Sequence, residues 1–179
     1  MTRPFTRSSV LSLLRTGAVF ALALSACAPP NGAAPDTSGA TPSAAPAVTR
    51  VTLERKPCFG TCPVYRVSVA EDGAVAFEGV RHVDSVGSFT GRIAAERVAA
   101  LARLFEEHEY FTLDDKYAYG EANCAQYGTD APTVITSVTI GDRTKRVEHD
   151  LGCAGVPKRL SDLESGIDEI VGTSRWIRK

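Results

Sequence analysis

From Val51 to Ile170 the apolar residues hold one period, switch to another, and then repeat that change. Val64 to Ala70, "VYRVSVA", puts Tyr65, Val67 and Val69 on one side of an extended chain, the alternation of a half-buried strand. Glu71-Asp72-Gly73 supplies a turn, and Ala74 to Arg81 returns with Val75 and Phe77 facing inward, which makes a hairpin. Short strands are expected before it, at Val51 to Lys56, and after it, at Ser85 to Gly91. The period then lengthens. Over Ala94 to His108 the apolar residues Val98, Leu101, Leu104 and Phe105 fall three and four apart, the stripe of an amphipathic helix.

The same order follows again. Thr133 to Ile140 alternates through Val134, Thr136, Val138 and Ile140, Gly141-Asp142 turns, and Arg143 to His149 comes back. That returning strand is polar, which places it at an edge or gives it one wet face. A last helix opens near Pro157, a favourable first helical position, and carries Leu160, Leu163, Ile167 and Ile170. Gly166 within it costs ~1 kcal/mol relative to Ala. Two hairpins and two helices in β-β-(β)-α-β-β-α order predict an α+β domain, an antiparallel sheet with both helices packed on one face.

What precedes this domain concerns location. Arg3, Arg7 and Arg15 form a basic start, and Thr16 to Ala26 is a short apolar run. A spanning helix needs roughly 20 apolar residues, so the run fits the core of a secretory signal. Leu24-Ser25-Ala26-Cys27 resembles the lipobox of bacterial lipoproteins. That resemblance implies cleavage before Cys27, acylation of its thiol and new amino terminus, and membrane attachment through lipid. With Ala rather than Asp at position 28, it further implies an outer-membrane destination facing the periplasm. Residues 28–49 hold half of the chain's 10 prolines among Ala, Ser, Thr and Gly. Such a segment buries too little apolar surface to offset its ordering entropy and reads as a disordered tether reaching at most about 70 Å. Residues 50–179 remain as one domain of ordinary size.

The cysteines follow from that location. With Cys27 used for lipid, Cys58, Cys62, Cys124 and Cys153 remain, an even set that reads as disulfides in an oxidising compartment. Four cysteines allow three connectivities. Cys58 and Cys62 can meet because Phe59-Gly60-Thr61 is able to turn between flanking prolines. Joining Cys124 to Cys153 would fasten the long loop 112–132. The expected pairs are therefore 58–62 and 124–153. An alternative is an envelope thiol-disulfide enzyme using Cys58 and Cys62, with His149 nearby. Catalytic dithiols, however, are usually spaced by two residues at a helix amino terminus that lowers the thiol pKa.

Five stretches carry a family resemblance: "CFGTCPVY" at Cys58 to Tyr65, "FTLDD", "TDAPTVITSVTI", "VEHDLGC" and "VPKRLSDLESGIDEI". Together they resemble a family of bacterial exported domains of unknown function, over nearly all of Arg50 to Val171. The resemblance implies the domain boundaries and an exported, often lipid-anchored setting. It brings no catalytic residue.

Nothing in the sequence marks an enzyme. Gly-x-Ser-x-Gly, His-Glu-x-x-His, phosphate-loop and dinucleotide patterns are missing, and so is the regular oxygen spacing of a calcium loop. One cysteine pair with scattered partners is a poor zinc pattern, so no metal or cofactor is expected. The chain has 20 basic and 21 acidic residues, and no basic patch interleaved with aromatics; nucleic acid is not an expected partner. His149 lies among Glu148, Asp150 and Cys153, and a solvated edge-strand histidine is its plainer reading. The loop 112–132 is the remaining candidate. Asp114, Asp115, Tyr117, Tyr119, Glu121, Tyr127 and Asp130 combine aromatic contact area with carboxylates suited to a cation or basic ligand. The plainer alternative has the tyrosines packing beneath the loop. A binding or scaffolding role toward an envelope protein or ligand is the expected function.

Overall fold

The computed structural model describes residues 47–177. Their elements, in order, are β1 (Val48–Arg55), β2 (Val64–Ala70), β3 (Ala74–Arg81), β4 (Gly87–Arg92), α1 (Ala95–Glu107), β5 (Lys116–Tyr117), β6 (Gln126–Tyr127), β7 (Thr133–Ile140), β8 (Arg143–Asp150), β9 (Cys153–Ala154) and α2 (Lys158–Val171). Short 3-10 turns follow each helix, at Tyr110–Thr112 and Thr173–Arg175. The signal assigned to residues 1–27, with Cys27, and the tether assigned to 28–49 as far as residue 46 lie outside the described residues.

Seven strands form one sheet in the order β4-β3-β2-β1-β7-β8-β5. All neighbours are antiparallel except β5, which runs parallel to β8. β6 and β9 pair as a separate ribbon. The fold is thus α+β with a mostly antiparallel sheet, and the expected hairpins β2–β3 and β7–β8 are its arms. The simple two-hairpin plan needs correction, because β1 lies between the hairpins and joins them. β1 also starts earlier than expected. Val48, counted with the tether from its neighbours' composition, is 2% exposed and sits in the core.

Alternation puts one face of every long strand against the helices. Val51, Leu53, Tyr65, Val67, Val69, Val75, Phe77, Val134, Val138 and Val147 share a single core with Val98, Leu101 and Phe105 of α1. Leu160, Leu163, Ile167 and Val171 of α2 complete it. Each such side chain contributes about 1.5–3 kcal/mol when fully buried, which is why the amphipathic stripes settle on this face. Phe77 stacks between Tyr65 at 5.5 Å and Trp176 at 4.7 Å between ring centroids.

Gly166 has a packing reason that offsets its low helix propensity. A Cβ there would lie 2.9 Å from a Leu104 methyl, so the glycine lets α2 approach α1 closely. Gly73 is needed more strictly: its φ is +80°, and a Cβ would sit 2.3 Å from the Ile93 carbonyl oxygen.

Candidate functional site

One end of the sheet collects both disulfides. Arg55 and Tyr65 are the last register pair of β1 and β2, and the loop between them is closed by Cys58–Cys62, with Cα atoms 5.8 Å apart. Cys124 joins Cys153 with Cα atoms 5.1 Å apart, tying the long loop to β9. The connectivity is the one the spacing favoured. The two loops also meet, since the Phe59 N–H donates to the Asp130 carbonyl at 3.1 Å.

Two polar links from α2 hold this end of the sheet from below. Glu164 and Asp168 lie one turn apart on one helix face. Asp168 accepts from the Arg55 Nη2 at 2.7 Å and Nε at 3.0 Å, from the Tyr65 hydroxyl at 2.6 Å and from the Thr173 hydroxyl at 2.7 Å. Burial pushes the Tyr65 hydroxyl well above the ordinary tyrosine range, and the Asp168 charge adds to that shift. Burial alone would lower the Arg55 guanidinium, but Asp168 and Tyr65 outweigh it and hold the pKa raised. The motif tyrosine is therefore a strut between strand and helix.

The second link corrects the reading of His149. Its ring is buried, 3% exposed, and its Nδ1 lies 2.8 Å from Glu164 Oε1. It is neither solvated nor turned toward Glu148 and Asp150. β8 has one wet face, as expected, but His149 is on the other. Tyr117 packs edge-on to it at 6.4 Å and is itself 2% exposed. Close by, the buried Tyr110 and Thr136 hydroxyls share a hydrogen bond of 2.8 Å. Burial raises the Tyr110 pKa, overcoming the opposing effect of that bond.

Tyr65 and Tyr110 make stability sensitive to base. Their folded pKa values lie above the ordinary value of 10.0, so in the unfolded chain they lose protons first. Their contribution is complete below pH 10 and is lost as pH rises beyond it, by up to about 1.4 kcal/mol per pH unit for each group. Urea midpoints should drop between pH 10 and 12. The Tyr65→Phe, Tyr110→Phe double variant should show a shallower drop; an unchanged slope would remove these tyrosines as its source.

Above the struts, the loop 112–132 is more ordered than its composition suggested. β5 extends the main sheet, β6 pairs with β9, and hydrogen bonds from Ala125 N–H to Ala154 O and from Gly128 N–H to Gly152 O prolong that ribbon. The expected binding residues divide. Tyr117 is core. Asp114 accepts from the Asn123 side chain at 2.8 Å, Asp115 pairs with Lys145, and Glu121 pairs with Lys116 at 3.3 Å. These acids hold the loop together.

Tyr119 and Tyr127 are the outward members, 75% and 39% exposed, with ring centroids 5.1 Å apart. Tyr127 donates to Asp150 at 3.1 Å, and that bond, followed by desolvation and the Asp150 and Asp130 charges, holds its hydroxyl above its ordinary range. Asp130 adopts φ +75°, a left-handed conformation rare outside glycine, and its carboxylate accepts from Thr129 at 3.1 Å. No basic side chain pairs with Asp130 or Asp150 among the described residues. Phe59 was missed as a site residue. At 89% exposure it stands at the tip of the short disulfide loop, and an apolar residue between two closely spaced cysteines was the available signal. Among the described residues, no group of acidic, histidine and cysteine side chains is arranged to hold a metal ion.

No curated protein matches the chain. A family model described as a domain of unknown function, DUF6438, matches residues 49–171, and the chain belongs to that family.

Proposed function

We propose that this is a lipid-anchored cell-envelope domain that binds a basic segment of an envelope protein through its disulfide-fastened end. One observation carries the reading: Phe59, Tyr119 and Tyr127 stand exposed on two cross-linked loops beside Asp130 and Asp150, two carboxylates without basic partners among the described residues. Aromatic faces beside uncompensated acids suit Lys and Arg side chains, through cation–π contact and charge together. The two disulfides are in keeping with an oxidising compartment, and the lipobox-like sequence at Cys27 supplies the anchor in this reading. The signal, the tether and the outer-membrane destination belong to the same proposal.

Two experiments test it. The mature amino terminus should be acylated Cys27, and Cys27→Ser should leave the precursor uncleaved; an unacylated terminus elsewhere refutes the anchor. For binding, a photo-crosslinking phenylalanine analogue replaces Phe59 or Tyr119 in the full-length chain in cells, with Arg103 on α1 as control. Adducts should form at the first two positions and not at the third. Asp130→Asn with Asp150→Asn should cut their yield about tenfold, the effect of losing about 1.4 kcal/mol of charge attraction. Equal adducts at Arg103, or no response to the Asp changes, would sink the site.

A further inference from the structure

The two edges of the seven-stranded sheet are built differently. At one, β5 has two residues and lies among the pairs Lys116–Glu121 and Lys145–Asp115, a blunted edge of the usual kind. At the other, β4 is six residues long and joined to β3 by an unbroken register from Gly79↔Gly87 to Ala74↔Arg92. Among the described residues, no strand pairs with its outer side. Gly87 to Gly91 contains no charge and no proline, so two of the devices that normally guard an edge are missing from that stretch. Val86 and Phe89 are 63% and 38% exposed.

The sequence of this edge indicates its occupant. Gly87-Ser88-Phe89-Thr90-Gly91 has the same residue types read from either end. We propose that β4 pairs antiparallel with β4 of a second copy of this chain, about a two-fold axis at Phe89. Phe89 then faces Phe89, Ser88 faces Thr90, and Gly87 faces Gly91. Aromatic–aromatic and Ser–Thr pairs are favourable directly across strands. Phe89 lies opposite Phe77 in register, so the facing Phe89 pair sits on the same face of the sheet as Phe77. Arg92, bonded to Asp72 at 3.1 Å, falls opposite Val86 and away from the axis, so no like charges meet. The contact is isologous and closes on itself. A pair of six-residue strands buries less than the roughly 1,200 Å² of a stable interface, which makes the dimer a concentration-dependent one.

Sedimentation equilibrium of the full-length chain in density-matched detergent tests this. The wild type should pass from monomer to dimer across the micromolar range. Ser88 and Thr90 are exposed and lie opposite Glu78 and Ala76 within their own sheet, so neither lysine directly faces a basic residue in the monomer. Ser88→Lys with Thr90→Lys sets Lys against Lys across the axis and should weaken association at least about tenfold. Ser88→Lys with Thr90→Glu makes the facing pairs opposite in charge and should restore it. A wild type that stays monomeric to about 1 mM overturns the proposal. So does a double-Lys variant that associates like wild type, or a Lys/Glu variant as weak as the double-Lys one.

Discussion

Removing the Cys124–Cys153 bridge, by changing both residues to Ser, should cost about 3.5 kcal/mol, because the loop it closes has a sequence separation of 29 and loop-closure entropy grows with length. For a domain of this size that is a fall in Tm of roughly 10–15 °C. The Cys58–Cys62 bridge closes a separation of 4, and its removal should cost less, about 2 kcal/mol. Scanning calorimetry of the full-length chain under identical conditions compares the two directly. The larger loss should come with increased amide exchange across the β6–β9 ribbon. The smaller should be confined to the Phe59 tip. Equal losses, or the reverse order, would mean that loop 112–132 is ordered without its bridge.

Asp168→Ala should be strongly destabilising. It removes the acceptor for Arg55, Tyr65 and Thr173 together and leaves the Arg55 guanidinium with the Tyr65 hydroxyl as its remaining partner beneath the sheet end. Breaking a fully buried pair costs 3–5 kcal/mol. Here the Arg55 and Asp168 side chains remain 23% and 20% exposed, which screens the charge and brings the expectation to about 2–3 kcal/mol. Tyr65→Phe removes the bond to the carboxylate and the 2.9 Å bond that the hydroxyl accepts from Arg55 Nε, and with Asp168 still pairing Arg55 it should cost about 1–1.5 kcal/mol. Urea denaturation of the two variants separates the shared carboxylate from the hydroxyl. If Asp168→Ala costs no more than Tyr65→Phe, the network is merely a tyrosine–carboxylate contact.

The long elements were legible because burial imposes period. β2, β3 and β7 alternate because one face meets the helices, and the helical stripes repeat for the same reason. Pairing was less legible. Nothing in "VTLERK" says that its strand lies between two hairpins, since alternation reveals a buried face and not a neighbour. β5, β6 and β9 have two residues each, too few to show any period. Glu164 was a missed signal: it stands on the apolar stripe with Leu160, Leu163 and Ile167, and an acid on that stripe needs a buried partner. His149 supplies it. The division of the tyrosines into core Tyr117 and exposed Tyr119 and Tyr127 depended on tertiary contacts that composition does not encode.

The place of β1 also bears on how the chain acquires its fold. First in sequence, it is central in the sheet, with Val51 facing Val69 on one side and Val138 on the other. A chain delivered amino-terminus first can form the β1–β4 meander early. That meander must then keep the free edge at Val51 and Leu53 until residues 133–140 emerge. High contact order of this kind slows folding toward milliseconds to seconds, and an exposed apolar strand in the interval invites association with other chains. The domain therefore completes its core only when its carboxy-terminal half has emerged, so its yield should depend on holding chaperones that shield a half-built sheet.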